Sequence, residues 1–516
     1  MNLAAAQDEH AQMRPEAPAL IDGALRLTHA ALADAVRRSA AHLLSLGVQR
    51  EQLIGVALGD HATHVIVMLA LARIGAVLLP IDHRWTAGEQ ERVAVHFAAG
   101  MILVEAGAQI VGAPNLAVDD AWHAAVAGTP AIHAGVPARS AALPASNTGA
   151  AAVSAAAGTD ASATPAPGGA APLLVSLSSG TTGRPKGPRI THDHFLARFR
   201  THTVNLGFTA SDCFVCATPL YFGAGRTFVW STLFAGGKVV LAPPPFDPPA
   251  LLQTLQAEAA STLFLVPTQL RRLLAEHADA PALRQLRLLF SSGAPLTRDE
   301  RFAIRAHLNP HFCEYYASTE GGGVTLLTPP DIDDHADSVG RAVHGVEVQI
   351  VDDAHRLQPP NATGLLRYRS PGCATAFYRD EAASRESFRD GWFYPGDLAQ
   401  LDAEGFLTLA GRARDMIIRG GINIYPEEIE AILMAHPAVL DAAVLGIPEP
   451  VLGELVAAFI VTRGGVGDDD LRAWCATRLA RYKLPQLIER VAVLPRNSAG
   501  KVQKPLLKAR LAPTES

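Results

Sequence analysis

The sequence has few cysteines, no excess of basic residues and no long apolar run. Its 516 residues include only five cysteines, an odd number without a dense pattern, which predicts a reducing compartment and no disulfide framework. A formal net charge of −6 provides no bulk attraction to nucleic acid or to an acidic membrane surface. We therefore expect a cytoplasmic protein that does not bind nucleic acid.

Membrane insertion is also not expected. The most apolar stretch runs from Val65 to Ile81, and Arg73, Gly75 and Pro80 interrupt it. It is shorter than the roughly 20 apolar residues that a membrane-spanning helix needs. The first residues contain neither the basic region nor the apolar core of a signal peptide. The sequence thus predicts no transmembrane segment and no secretion by that route.

Cys213 and Cys216 have the C-x-x-C spacing that metal and redox sites use. No second pair and no histidine cluster accompanies them in the sequence, and the apolar residues around them indicate a buried strand. We favour structural packing over a metal or redox role for both.

The length of the chain predicts more than one domain, because a single hydrophobic core rarely holds so many residues. Helical apolar periods at 30–46 and 64–74 alternate with short apolar runs at 53–57 and 77–80, which indicates a parallel sheet covered by helices. Residues 138–171 consist almost entirely of Ala, Ser, Thr, Pro and Gly. This composition cannot build a core and predicts a low-complexity insert.

After residue 411 the pattern changes to a compact α+β unit with helices expected at 426–436 and 468–479. We therefore predict the α/β class. A large N-terminal domain at 1–411 should hold mixed, mainly parallel sheets covered by helices, and a small C-terminal domain should occupy 412–516.

The most informative segment, SSGTTGRPKG at 178–187, directly follows a predicted strand at 173–177. Its glycines let the backbone turn and present N–H groups to an anion, its hydroxyl groups add donors, and its lysine adds charge. A nucleoside triphosphate needs these groups, although the spacing is not that of a Walker loop. A mobile surface hairpin is the alternative. The predicted phosphate-binding residues are Ser179, Gly180, Thr181, Thr182, Gly183 and Lys186.

Four further blocks follow this loop: YASTE at 316–320, GWFYPGDL at 391–398, GRARD through GG to PEEIE between 411 and 430, and PRNSAGK at 495–501. In this order and spacing, the five segments resemble the motifs of the adenylate-forming superfamily. That superfamily includes acyl-CoA synthetases, firefly luciferase and the adenylation domains of peptide synthetases. The resemblance covers nearly the whole chain and points most to an AMP-forming acyl-CoA synthetase.

The resemblance implies an acid–thiol ligase that activates a small or medium carboxylic acid with ATP and Mg²⁺ to acyl-AMP. The acyl group then passes to coenzyme A, and AMP and pyrophosphate are released. It also implies a mobile C-terminal domain that takes a different orientation in each half-reaction.

Adenylation needs cationic and hydroxyl groups around the α-phosphate and a hard oxygen ligand for Mg²⁺. The resemblance assigns Lys501 and Thr319 to the phosphate and Glu320 to Mg²⁺. Asp397 matches a carboxylate that accepts hydrogen bonds from the ribose, and Arg412 matches a second ribose contact. Taken singly, a solvated loop acid, a turn aspartate and surface cations are the alternatives. The other nucleotide-binding residues implied are Gly293, Ala294, Pro295 and Tyr316.

Arg414 occupies the position where the family's C-terminal domain pivots. Gly420 and Gly421 match the loop that lines the thiol tunnel, where missing side chains leave room for a pantetheine arm. An ordinary tight turn is the alternative for these glycines. The tunnel is the main argument in the sequence for CoA.

The acyl pocket departs from the family pattern. The run PLYFGAGR at 219–226 has Phe222 where many relatives have histidine, and no aspartate follows Tyr221 to bind an amino group. Ala317 replaces a common glycine and should shorten the acid that fits. Arg226 could bind a second carboxylate if it faced the pocket. We favour a structural or solvated role, because an unpaired buried charge is costly.

Two other functions stay open. One is a stand-alone adenylating enzyme that loads the phosphopantetheine thiol of a separate carrier protein. The other is a non-catalytic nucleotide-binding protein, although retention of the motif residues argues against it. The expected partners are a small-molecule carboxylic acid, ATP and CoA, and a homodimer is left open.

Overall fold

The computed structural model describes residues 2–132, 168–177, 185–419, 422–449, 451–496 and 501–511. Most of the predicted low-complexity insert therefore lies outside the described residues. The chain forms two compact units, Met1–Leu263 with Pro371–Ser384 and Phe264–Ser370 with Arg385–Ser516.

The first unit consists of sheets covered by helices. Its helices, α1 to α8, are Ala5–Met13, His29–Ser45, Ala62–Ile74, Ala87–Phe97, Asp120–Gly128, His192–Leu206, Gly223–Phe234 and Pro248–Ala257. Its strands, β1 to β10, are Pro18–Asp22, Leu25–Thr28, Leu53–Ala57, Val77–Pro80, Met101–Glu105, Asn115–Val118, Pro172–Val175, Arg189–Thr191, Cys213–Cys216 and Lys238–Leu241. Strand β11 (Thr262–Leu265) spans the boundary between units.

The strands of this unit pair mainly in parallel. One sheet has the order β6-β5-β3-β4-β7-β8 and is antiparallel only at β7–β8. Elsewhere β9, β10 and β1 run parallel, and β2 is antiparallel to β1. Strands β3 and β4 are buried along their whole length, as expected where helices cover both faces of a parallel sheet. The predicted strands at 53–57 and 77–80 are confirmed.

The second unit is richer in antiparallel pairs. The helices from here on, α9 to α16, are Pro267–Glu276, Pro281–Arg284, Arg298–His307, Asp331–His335, Glu381–Ser387, Pro426–Met434, Asp468–Ala476 and Lys504–Leu511, of which α13 spans a unit boundary. The strands, β12 to β26, are Leu288–Ser291, Phe312–Ser318, Gly322–Leu327, Arg341–Ala342, Glu347–Val351, Gly364–Arg369, Phe388–Arg389, Trp392–Phe393, Asp397–Leu401, Leu407–Arg412, Ile417–Arg419, Ile422–Ile424, Val439–Glu449, Gly453–Thr462 and Leu487–Arg490.

Five strand pairings of this unit matter for function. Strand β12 is parallel to β13, and β13 forms an antiparallel hairpin with β14. Strands β20 and β21 form a second antiparallel hairpin. Near the C-terminus, β24 and β25 pair antiparallel, and β26 is parallel to β25.

The C-terminal α+β part has its own core. Residues from α14, α15 and the β24–β25 pair bury their apolar side chains together, among them Ile429, Val444, Ala458 and Leu471. The expected helices at 426–436 and 468–479 are confirmed, and both end a few residues early, at Met434 and Ala476. The α/β fold class with a small C-terminal α+β part is confirmed.

Two further expectations concern cysteines and membranes. Cys213 and Cys216 are the end residues of the buried strand β9, and both are free thiols. Burial raises the pKa of Cys213 to about 11 and that of Cys216 to about 12, so neither is a reactive thiolate at neutral pH. Among the described helices, none has the length and apolarity needed to cross a bilayer.

A buried ion pair fixes helix α11 against strand β13. Arg301 Nε donates to Glu314 Oε2 at 2.5 Å, and both side chains are almost fully buried. Arg301 also donates to the carbonyl oxygen of Ala336. Burial raises the pKa of Glu314, and the Arg301 guanidinium opposes that shift. Strand β13 carries several of the predicted site residues, so this pair helps to hold those residues in place.

Replacing Arg301 with methionine should leave the Glu314 carboxylate uncompensated in the interior. We expect a loss of about 3 kcal/mol in the free energy of unfolding, the usual cost of removing one partner of a buried pair. Arg301→Met should therefore lower the thermal midpoint by several degrees. Arg272→Met removes the exposed pair with Glu276 and should cost below about 1 kcal/mol. Equal and small shifts for the two variants would contradict this account.

Candidate active site

Asp397 and Arg412 lie opposite each other on the β20–β21 hairpin. Asp397 is the first residue of β20, and its register partner Arg412 is the last residue of β21. Arg412 Nε lies 2.6 Å from Asp397 Oδ1, and the hydroxyl of Tyr316 donates to Asp397 Oδ2 at 2.5 Å. The carboxylate is thus held in one orientation by a donor on each oxygen.

The charges in this group are balanced. Burial lowers the pKa of Arg412, but the carboxylate of Asp397 opposes it most strongly, and the net result is a raised pKa. Burial raises the pKa of Tyr316 well above its ordinary value, and the negative charge of Asp397 adds to that shift. Tyr316 therefore stays neutral and can donate its hydrogen bond at any physiological pH.

The β13–β14 hairpin presents the next part of the site. Tyr316 and Ala317 lie near the end of β13, and Thr319 and Glu320 form the turn that follows, all of them half-buried. The hydroxyl group of Ser318, the last residue of β13, makes two contacts that shape this turn.

The hydroxyl oxygen of Ser318 accepts from the backbone N–H of Gly321 at 2.8 Å and lies 2.5 Å from the hydroxyl oxygen of Tyr368. A Cβ atom on Gly321 would lie 2.3 Å from the Tyr368 ring, so only glycine permits this approach.

Lys501 lies within electrostatic reach of these residues. Protein crowding around the ammonium lowers the pKa of Lys501, and Arg412 lowers it further. The carboxylates of Asp397 and Glu320 act in the opposite direction. The structure therefore brings together a lysine and two carboxylates that are far apart in sequence.

The predicted residues Gly293, Ala294 and Pro295 follow β12. Gly293 has a φ of +99°, and among the described residues beyond its chain neighbours none comes within 4 Å of where its Cβ atom would be. Because β12 and β13 are parallel, their carboxyl ends lie at the same edge of the sheet, where ligands of α/β proteins usually bind. These residues and the Tyr316 segment thus share one edge.

The predicted phosphate loop lies mostly outside the described residues, which include none of Ser179, Gly180, Thr181, Thr182 and Gly183. Lys186, after the gap, is half-buried in the first unit. Its ammonium lies 5.3 Å from the centre of the Phe377 ring, and the adjacent Gly187 carbonyl accepts from the Tyr378 backbone N–H at 2.7 Å. A short tertiary contact therefore fixes the C-terminal end of this segment.

Arg226, on helix α7, is only 1% exposed. Its Nη1 donates to the carbonyl oxygens of Leu220 at 3.2 Å and Tyr221 at 3.0 Å, and its Nη2 donates to Ser176 Oγ at 3.0 Å. Burial, with a smaller contribution from Arg198, lowers the pKa of Arg226 to about 9. The guanidinium thus ties the turn before α7 to the end of β7, and its Nε has no acceptor among the described residues.

Two other predicted acyl-pocket residues, Tyr221 and Phe222, belong to that turn. The Tyr221 hydroxyl oxygen accepts from Arg84 Nη2 at 2.8 Å, and Phe222 is the residue that precedes α7. Ala317 lies in the second unit, on β13.

The predicted pivot, Arg414, is exposed, and its Nε lies 3.5 Å from Asp415 Oδ1. Gly420 and Gly421 lie outside the described residues. A nearby concavity of about 490 Å³ was not predicted, because its residues come from separate segments. It is lined by Arg419, Arg481, Tyr482, Leu484 and Gln486. The run RYK at 481–483 was the available signal, since it places two cations around an aromatic ring.

Glu320 fits the part of a magnesium ligand by chemistry, since Mg²⁺ prefers hard oxygen donors. In the part of the chain that the structure describes, no three His, Cys, Asp or Glu side chains cluster to hold a metal by themselves. In nucleotide-dependent enzymes, Mg²⁺ is usually held by one or two carboxylates together with the phosphates of the substrate.

Two family models match long regions of this chain. The AMP-binding enzyme family matches residues 7–378, and the AMP-binding enzyme C-terminal domain matches residues 428–501. A feruloyl-CoA synthase of Amycolatopsis sp is 30% identical over 502 residues, which are 96% of each chain. An indoleacetate–CoA ligase of Aromatoleum aromaticum is 31% identical over 509 residues, also 96% of each chain.

A solved structure is similar over its whole length. The o-succinylbenzoate CoA synthetase of Bacillus subtilis with its acyl-adenylate intermediate has a TM-score of 0.84 and 25% identity, covering 98% of this chain and 97% of that one. The same synthetase has been solved with ATP and magnesium ion. The chain is thus an AMP-forming acyl-CoA synthetase that uses ATP and Mg²⁺ and takes CoA as co-substrate. It belongs to the AMP-binding enzyme family.

Proposed function

We propose that this chain forms its acyl-adenylate at the group made by Asp397, Glu320, Arg412 and Lys501. The observation that carries the proposal is that Asp397 and Glu320 lie near enough to Lys501 to act on its pKa, although both precede it by more than a hundred residues in the sequence. A cation held beside these residues is what an attack on a phosphate requires.

In the first step, an oxygen of the acid's carboxylate bonds to the α-phosphorus, the bond to the bridging oxygen breaks, and pyrophosphate leaves. Lys501 and the hydroxyl of Thr319 would donate to the α-phosphate oxygens, where negative charge grows in the transition state. Mg²⁺, which Glu320 would hold, supplies neutralising charge for the phosphates.

Asp397 would accept hydrogen bonds from the ribose hydroxyls. Both of its oxygens already have protein donors, so the ribose would share or replace the Tyr316 hydrogen bond while Arg412 holds the carboxylate in place. Tyr316 and the turn at Gly293, Ala294 and Pro295 would contact the nucleotide from the same sheet edge. The loop residues Ser179 to Gly183, by resemblance, would bind the phosphates.

In the second step, the CoA thiol loses its proton and attacks the acyl carbonyl, and AMP leaves. The concavity at Arg419, Arg481 and Tyr482 has the chemistry to bind the phosphorylated nucleotide of CoA. It combines two guanidinium groups with an aromatic ring, and the Nε of Arg419 is buried without an acceptor among the described residues. Gly420 and Gly421 would line the path of the pantetheine arm.

The acid is proposed to be small or medium in size and to contain an aromatic ring. Relatives named for ferulate, 2-succinylbenzoate and indoleacetate support the ring. Tyr221, Phe222 and Ala317 are the proposed pocket residues. Arg226 is proposed to stabilise the turn that carries Tyr221, since its donors already serve three protein oxygens.

Domain division, assembly and location complete the proposal. We place the boundary between domains at 411/412 with Arg414 as the pivot, and the interval between the two matched family regions, 378 to 428, includes it. We propose a cytoplasmic protein, since all five cysteines are free and buried. We propose a homodimer as the assembly, and light scattering of the purified chain would test it.

Lys501→Ala should lower acid-dependent pyrophosphate release by at least about 10²-fold, the usual cost of losing one transition-state donor. The reaction of supplied acyl-adenylate with CoA should stay within about threefold, because no bond to α-phosphorus forms in that step. Rates of both half-reactions should be measured with Lys508→Ala as control, an exposed lysine on α16. Unchanged pyrophosphate release in Lys501→Ala would remove this residue from the mechanism.

Arg481→Gln should raise the KM for CoA by about tenfold, as expected for a lost charge-assisted hydrogen bond, and leave the KM for ATP unchanged. The same variant should have little effect when pantetheine replaces CoA, because pantetheine lacks the nucleotide. Arg510→Gln, at an exposed position of α16, is the matched control. An equal loss with CoA and pantetheine would show that the concavity does not bind the nucleotide.

A further inference from the structure

Glu427 packs against the backbone of Gly411. It is the second residue of α14, and Gly411 lies on β21, just before Arg412. Gly411 has a φ of +114°, and a Cβ atom there would lie 2.0 Å from Glu427 Oε2. Only glycine therefore allows the carboxyl group to come this close to the strand.

The carboxyl group of Glu427 is poorly satisfied. Its Oε2 is buried and has no hydrogen-bond donor among the described residues. The nearest cation, Lys504 on α16, lies 2.9 Å from Glu430 Oε1 and so is already paired. A carboxylate oxygen that is buried without a donor is costly, so this geometry suits the protonated form better than the ionised one.

The surrounding charges agree with this conclusion. Burial raises the pKa of Glu427 to about 7 from an ordinary value of 4.5. Lys504 lowers that pKa, and the carboxylates of Glu430 and Asp415 raise it. Lys504 on α16 therefore compensates the charge of an ionised Glu427 only in part, because Glu430 on α14 and Asp415 after β21 act against it.

The contact lies between two parts of the chain that the proposed reaction must hold together. Glu427 and Lys501 belong to the C-terminal α+β part, whereas Gly411 lies on the hairpin that carries Asp397 and Arg412. Packing of α14 on β21 therefore contributes to keeping Lys501 near Asp397 and Glu320.

We propose that Glu427 is a positioning residue for acyl-adenylate formation. The neutral form of Glu427 lets α14 pack on Gly411, and this packing holds Lys501 near Asp397. The inference rests on the proposed role of Lys501. Ionisation of Glu427 places an unpaired negative charge at this contact and shifts the C-terminal part away from the strand.

The direction of the pH effect follows from the two protonation equilibria. The packed form binds a proton up to about pH 7, whereas an exposed Glu427 loses it near the ordinary value of 4.5. The free energy that favours the packed form is thus largest below pH 4.5, falls as the pH rises towards about 7, and changes little at higher pH. Adenylation should decline over the same range for this reason.

The test compares wild type with Glu427→Gln, which is neutral at every pH, and with Glu428→Gln. Glu428 is the exposed neighbour on the same turn, paired with Lys483 at 2.6 Å, and serves as the matched control. Acid-dependent pyrophosphate release without CoA is measured between about pH 5.5 and 8.5. Taking the ratio of each variant to wild type at each pH removes the titration of all other groups, because they are shared.

The Glu427→Gln to wild-type ratio should rise by about tenfold across this range and level off above about pH 7. The Glu428→Gln ratio should stay flat, and the reaction of supplied acyl-adenylate with CoA should not follow the same curve in any variant. A flat ratio for Glu427→Gln, or equal curves for the two variants, would overturn the proposal.

A second variant, Glu427→Met, and a comparison with Lys501→Ala distinguish failure of this proposal from misfolding and from failure of the role of Lys501. Glu427→Met, also neutral, should give the same pH dependence if the glutamine amide destabilises the fold. If Lys501→Ala keeps full pyrophosphate release, the role of Lys501 fails whatever the glutamate variants do. If Lys501→Ala loses it and both Glu427 ratios stay flat, only the role of Glu427 fails.

Discussion

The ion pair between Asp397 and Arg412 is the contact on which the site depends. It closes the end of the β20–β21 hairpin, so one interaction positions the proposed ribose ligand, orients Tyr316 and fixes the point where the chain leaves for its C-terminal part. A carboxylate held by two donors keeps its geometry before any nucleotide binds. Pre-organisation of this kind lowers the entropic cost of binding and of reaching the transition state.

The buried charged groups differ in whether a group of opposite charge lies close to them. Asp397, Glu314 and Glu430 each have a cation close by. Arg226 and Glu427 are the contrasting cases. Arg226 donates to neutral oxygens and has no carboxylate partner among the described residues, whereas Glu427 Oε2 is buried against a glycine. The first ties two segments together, and the second can change its charge near neutral pH, so a contact at the edge of the C-terminal part can respond to pH.

The sequence correctly predicted the fold class and the strands β3 and β4, and it named the residues from which the candidate site is proposed. It succeeded because apolar runs, glycine turns and motif spacing are local signals. The pairing of Asp397 with Arg412 was not predictable, because it depends on a register shift between Leu398 and Ala399 that no spacing rule reveals. The burial of Glu427 was hidden for a similar reason, since an acid in the first turn of a helix normally indicates a solvated cap. The concavity at Arg419 and Arg481 requires two distant segments to meet.

The most direct test of the account is the fate of oxygen in the carboxylic acid. An aromatic acid labelled with ¹⁸O in both carboxylate oxygens should be turned over with ATP, Mg²⁺ and CoA, and the AMP analysed by mass spectrometry. If the carboxylate attacks the α-phosphorus, each AMP released should carry one labelled oxygen, and pyrophosphate should carry none. Unlabelled AMP, or label in inorganic phosphate together with ADP, would contradict an acyl-adenylate intermediate and the roles proposed for Lys501 and Asp397.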